Sequence, residues 1–253
     1  MKYTVIIILI GTILFNISCE SKRNRDYSLS LEEYEEMGIP DPKKVWGITE
    51  IGIAIDVFSG MKWDKPYNLP RKGSKRSGVL FDRMISLENM QFLHNDTVKL
   101  RDKALLSLQF LQVFEKWKDV YTHPMWKRQY YHRELVDINI NEIRVTETMV
   151  DLTKQVMASN DPADVMLQQG VPQVKINYIS SLINALNLQS YTSQFLEKDL
   201  ELLADSLSAT ISRNKVWMDS ISMDRLKKSM NVVLDSTSSE YVKEKYEMLV
   251  DDL

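Results

Sequence analysis

Four cations fall within six residues at Arg71, Lys72, Lys75 and Arg76, in the run Arg71-Lys72-Gly73-Ser74-Lys75-Arg76-Ser77-Gly78. Guanidinium and ammonium groups at that density can engage an anion: a lipid headgroup, an acidic polysaccharide or the carboxylates of a partner. Gly73 and Gly78 have the spacing of a phosphate-cradling loop. Val79 and Leu80 stand where that motif needs Lys and Ser or Thr, so a nucleotide site is excluded. Ser77-Gly78 do precede an expected helix start, where backbone N–H groups favour negative charge. The plainer reading is a solvated loop that balances nearby acids.

The other reactive side chains assemble into less. His94, His123 and His132 lack the His-x₃-His spacing of a metal site, and the Glu-x-x-His pairs of helical carboxylate centres are missing. Neither a metal nor another cofactor is expected. The chain has no Gly-x-Ser-x-Gly elbow, and its single cysteine is Cys19. Glu32-Glu33, Glu35-Glu36 and Asp251-Asp252 read as solvated surface. Trp117, Tyr121, Trp126, Tyr130 and Tyr131 gather at one helix junction, where aromatics either plug a gap in the core or line a ligand groove.

Cys19 has its own context. Residues 5 to 17 form an apolar run behind Lys2, shorter than the roughly 20 residues that span a bilayer. A charged start, a short apolar middle and a small residue at the cut make a secretory signal peptide. Because this one closes on Asn16-Ile17-Ser18-Cys19, it resembles the signal peptide of a bacterial lipoprotein, although Asn16 stands where that family usually has an aliphatic residue. The resemblance implies cleavage after residue 18 and lipidation (palmitate among the acyl chains) of Cys19. A thioether would also explain an unpaired cysteine in an exported chain. An uncleaved signal anchor and an apolar core helix of a cytosolic protein are the alternatives, although a core helix would normally be apolar on one face only. Lys22, Arg23 and Arg25 follow, and each such charge is worth about 1 kcal/mol at an anionic membrane surface.

Removing 18 of the 253 residues leaves 235, enough for one large or two small domains. Among the removed residues only Lys2 is charged, so the mature net charge is −4, too balanced for a nucleic-acid binder. Hydrophobic residues make up 44%, which suffices for a sizeable core, while 8 Gly, 7 Pro and 13 Met favour long helices over strands and turns.

The expected fold class is therefore all-α: a multi-helix, bundle-like domain over 31–253, behind a signal peptide (1–18) and a lipidated, flexible tether (19–30). Ser30 and Glu33 have capping-box spacing for a short helix stopped at Gly38. Asp41-Pro42 offers the start of a helix through Phe58, although Ile51, Ile53, Ile55 and Val57 also alternate as a strand would. A loop over 60–78 leads to helices expected over 79–93 and, capped by Asp96, over 97–121. Tyr131, Leu135, Ile138, Val145, Met149, Leu152 and Val156 mark a long helix interrupted only by Glu142. Further stripes follow at Ile176, Ile179, Ile183 and Leu186, at Leu196, Leu200, Leu203 and Leu207, at Met223, Leu226, Met230 and Val233, and at Val242, Tyr246 and Leu249. Short links between them favour antiparallel neighbours.

The function expected is a non-enzymatic binding or scaffolding domain in the bacterial cell envelope. It would be lipid-anchored on the periplasmic side or in the outer membrane, with another envelope protein or an anionic polymer as partner. An envelope hydrolase with a dispersed active site and a small-ligand carrier are the alternatives.

Overall fold

The computed structural model describes residues 28–61, 69–122, 131–190 and 196–253; Cys19, the rest of 1–27, His123, Trp126 and Tyr130 lie outside them. Within that set the chain is all-α. The helices are α1 (Leu31–Glu36), α2 (Ile48–Gly60), α3 (Gly78–Met84), α4 (Leu100–Tyr121), α5 (His132–Ala158), α6 (Pro162–Val165), α7 (Val171–Gln189), α8 (Glu197–Asn214), α9 (Ser220–Ser236) and α10 (Glu240–Asp252). Short 3₁₀ turns cover Leu87–His94, Met166–Gly170 and Lys215–Trp217.

α5 is the axis of the bundle, because its sequence is apolar on two sides. Tyr131, Leu135, Ile138, Val145 and Met149 face a core shared with α2, α3 and α4, built around Phe58, Phe81, Phe114, Trp117 and Tyr121. Val136, Ile143 and Val150 recur every seven residues and face a second core made by α7, α8, α9 and α10. Contacts along α5 set the directions of its neighbours. The start of α4 (Leu105, Leu108) and the start of α7 (Val171, Val174) both meet the end of α5 (Thr153, Val156), so both helices run antiparallel to it. α8 runs parallel: Asp199 is near His132, and Asn214 accepts from Lys154 at 3.1 Å.

Several local expectations are met. Ser30 and Glu33 form the reciprocal cap, and Gly38 ends α1 with φ +91°, a backbone state that costs any residue with a Cβ. The segment 48–60 is helix rather than strand, with Ile51, Ala54, Ile55 and Phe58 buried and Ile53 outside. Ser28 is buried, so the fold takes in the end of the segment expected as tether.

Other boundaries move for tertiary reasons. α2 begins at Ile48, not Pro42. Trp46 is buried, its indole N–H donates to Asp41 O at 2.9 Å, and its backbone N–H donates to Asn89 Oδ1 at 3.1 Å. That anchoring bends 41–47 out of helix, and Glu50 supplies the start by accepting the Gly47 N–H at 2.8 Å. The helix expected over 79–93 breaks at Ile85-Ser86, where Ser86 caps a new 3₁₀ start by accepting from Glu88 N. Asp96 does not cap α4; Asn95 instead folds back on Thr97 at 2.9 Å, and α4 starts at Leu100. Ile176 and Leu196, both expected inside, are more than half exposed, and Tyr178, Leu182 and Ala185 carry the inner face of α7.

Candidate functional site

The loop 69–77 is built from its own polar atoms before it meets the rest of the fold. Ser74 Oγ accepts the backbone N–H groups of Arg76 and Ser77, both at 3.0 Å, and Ser77 Oγ accepts that of Arg71 at 3.1 Å. Gly73 takes φ +70°, and Gly78 lies against its backbone, where an added Cβ would come within 3.5 Å. Tyr121 OH fixes the loop's entry by donating to Pro70 O at 2.7 Å.

The first turns of α5 then neutralise half of the loop's charge. Lys72 N–H donates to Glu134 Oε1 at 2.8 Å, and Arg71 Nε lies 3.6 Å from the same oxygen, with its guanidinium 5.6 Å from the centre of the Tyr131 ring. Lys72 Nζ pairs with Asp137 at 2.7 Å. Glu134 is buried. That burial raises its carboxyl above the usual range, with the Arg71 charge opposing the rise. Asp82 is raised too, by its own partial burial and by Asp137. Arg71 and Lys72 are therefore structural cations as much as binding ones.

The rim is different. Arg76 pairs with Glu33 at 3.1 Å across a contact in which both side chains are about half exposed, 49% and 48%. Lys75 is exposed and has no carboxylate partner among the described residues. Arg133, in the first turn of α5, is exposed and likewise has no such partner. These groups line a cleft of about 450 Å³ whose walls are Arg71, Lys72, Gly73, Ser74, Lys75, Arg76 and Arg133. The four cations singled out from the sequence are thus brought together, and the fold adds a fifth. Nothing in the sequence around His132-Arg133-Glu134 ties Arg133 to a loop so far upstream.

The other candidates resolve as follows. Trp117, Tyr121 and Tyr131 are fully buried in the first core, Trp117 against Phe58 at 5.6 Å and Tyr121 edge-on to Tyr131 at 5.2 Å, so they plug helix contacts rather than line a groove. An apolar groove of about 290 Å³ lies elsewhere, among Leu105, Leu108, Met149, Val156, Val171 and Val174. His132 Nε2 is 3.6 Å from Asp199 Oδ2, beyond hydrogen-bond length, and joins the first turns of α5 and α8. His94 is exposed, at the edge of a polar cleft with Arg144, Glu147 and Arg213. Glu32, Glu33, Glu35, Glu36, Asp251 and Asp252 are exposed as expected. Among the described residues no group of three or more His, Cys, Asp or Glu could hold a metal ion, and no helix is long and apolar enough to cross a membrane.

Compared with protein-family models, with curated proteins and with solved structures, the chain matches none.

Proposed function

We propose that this chain is a membrane-anchored lipoprotein of the bacterial cell envelope whose helical domain is a non-enzymatic scaffold that binds an anionic partner. The lipoprotein-like signal sequence ending at Cys19 supports the anchor. One observation carries the binding role: Lys75 and Arg133 line one cleft, exposed and without carboxylate partners among the described residues, while Arg71 and Lys72 beside them are pinned by Glu134 and Asp137. Charge left unneutralised on a rigid support favours association with an anion, because the support has already been ordered.

The test has two readings on one preparation. Mass spectrometry of the membrane fraction is expected to find Cys19 as the first residue, carrying thioether-linked lipid; an intact Met1 with a free thiol overturns the location. Retention of the full chain on a dextran-sulfate column is expected to fall when Lys75 and Arg133 are both changed to Glu. Unchanged retention overturns the binding role.

A further inference from the structure

The cleft lies where the chain enters the fold. Ser28 is buried, and its Oγ is 3.2 Å from the Oγ of Ser74, the residue that organises the basic loop. From Cys19 to Ser28 is nine residues. Even a fully extended chain of that length reaches no more than about 30 Å, so a lipid on Cys19 keeps the loop close to the bilayer. The rest of the bundle extends away from that point: α5 has 27 residues and is about 40 Å long at 1.5 Å per residue. Arg133 and the pinned loop are at its first turn. The polar cleft that contains His94, Arg144 and Arg213 is bounded by later turns of α5, and there Arg213 is paired with Glu147 at 3.0 Å. That cleft carries the carboxylates Glu147 and Asp151 beside Arg144 and Arg213, whereas the cleft nearest the anchor is lined by cations, Gly73 and Ser74 with no carboxylate.

Resting on the anchor reading above, we propose that the anion bound in the cleft of Arg71–Arg76 and Arg133 is the phosphate of anionic lipid headgroups. The domain then docks loop-down on the same membrane that holds Cys19. The loop supplies Lys75 and Arg76 to the headgroup layer, α5 supplies Arg133, and the Arg76–Glu33 pair is exposed enough to exchange its carboxylate for a phosphate. Each Lys or Arg brought to an anionic surface contributes about 1 kcal/mol. Three such charges are weak alone, but the anchor holds them at high effective concentration. Glu134, Asp137 and Asp82 behind the loop offset Arg71 and Lys72, so the attraction comes from the rim and is strongly screened by salt.

The experiment uses the full acylated chain reconstituted into vesicles of phosphatidylcholine, with or without phosphatidylglycerol. An amine-reactive reagent labels exposed lysines, and peptide mass spectrometry reads Lys75 on the loop and Lys228, exposed on α9. Labelling of Lys75 is expected to slow about fivefold in the anionic vesicles and to recover in high salt, with Lys228 unchanged. The Arg133→Glu variant, verified as folded by circular dichroism, should lose most of that protection. Equal labelling of Lys75 in both vesicle types overturns the proposal. Equal protection in neutral vesicles supplied with inorganic phosphate overturns it in favour of a soluble phosphate ligand. Failure of the protein to float with either vesicle shows that the anchor itself is wrong, an outcome separate from failure of the docking face.

Discussion

Lys118 of α4 and Glu142 of α5 form an ion pair inside the bundle, with Glu142 only 1% exposed as a residue. From the far side Ser181 of α7 donates its hydroxyl to Glu142 Oε1 at 3.0 Å. One carboxylate thus links three helices at the level where the two cores approach each other along α5. A buried charge of this kind adds little net stability and penalises every packing that leaves it unpaired.

Removing one partner should therefore cost far more than removing both. Lys118→Met is expected to destabilise the protein by about 3–5 kcal/mol, while Lys118→Met with Glu142→Leu should return most of that loss. Urea unfolding of the single and double variants measures both. Additive losses would show that the pair is not coupled.

Glu134 and Glu142 should make stability decline as pH rises above 4.5. Burial raises the carboxyls of Glu134 and Glu142 above the usual 4.5, so the folded state holds more protons than the unfolded one. Their contribution is fully present below 4.5 and is lost as pH rises through the raised values. Glu134→Gln keeps an acceptor for Lys72 N–H and should flatten this decline. A variant profile parallel to that of the unsubstituted protein would count against the assignment. Asp205 acts in the opposite sense. The hydrogen bond from Lys245 lowers its carboxyl below 3.8, so its contribution is present above that value and is lost as pH falls through the lowered one.

The cations of the loop should separate into two kinds. Lys72→Glu breaks the 2.7 Å contact with Asp137 and sets a carboxylate near Glu134, and a cost of about 1.5–3 kcal/mol is expected. Lys75→Glu, exposed and without a carboxylate partner among the described residues, should change stability by no more than about 0.5 kcal/mol. Thermal melts of the two variants decide it, and equal losses would mean that Lys75 too is structural.

Trp117 is a volume rather than a polar contact. It is fully buried against Phe58, and its indole N–H meets no hydrogen-bond acceptor among the described residues. Trp117→Ala should cost about 3–5 kcal/mol through the cavity it leaves, and Trp117→Phe distinctly less, since no hydrogen bond is lost. If the two variants melt together, the aromatic packing is not what matters at that position.

The two cores should unfold as one unit, because α5 is a wall of both. Ile143→Ala changes only the second core, yet it is expected to lower the urea midpoint reported by a variant that retains Trp117 alone as well as one that retains Trp217 alone. Separate midpoints would show that the shared helix does not couple them.

The helical class, the capping of α1, the length of α5 and the apolar stripes of α5, α8, α9 and α10 were legible in the sequence. Each rests on interactions three or four residues apart, or on the 3.6-residue period with which a helix buries one face. The basic loop was legible as a charge density, and Glu142 only as a gap in a stripe. The late start of α2 was not, because Asn89 draws Trp46 out of helix from 43 residues away. Nor was the partner of Glu142, or the pinning of Lys72 by a helix 65 residues downstream, or the arrival of Arg133 on the cleft's rim. Local hydrogen bonds and periodicity are written into neighbouring residues and specify each helix and its buried face. Which distant side chain neutralises which charge depends on how those faces stack, and only the packed bundle decides that.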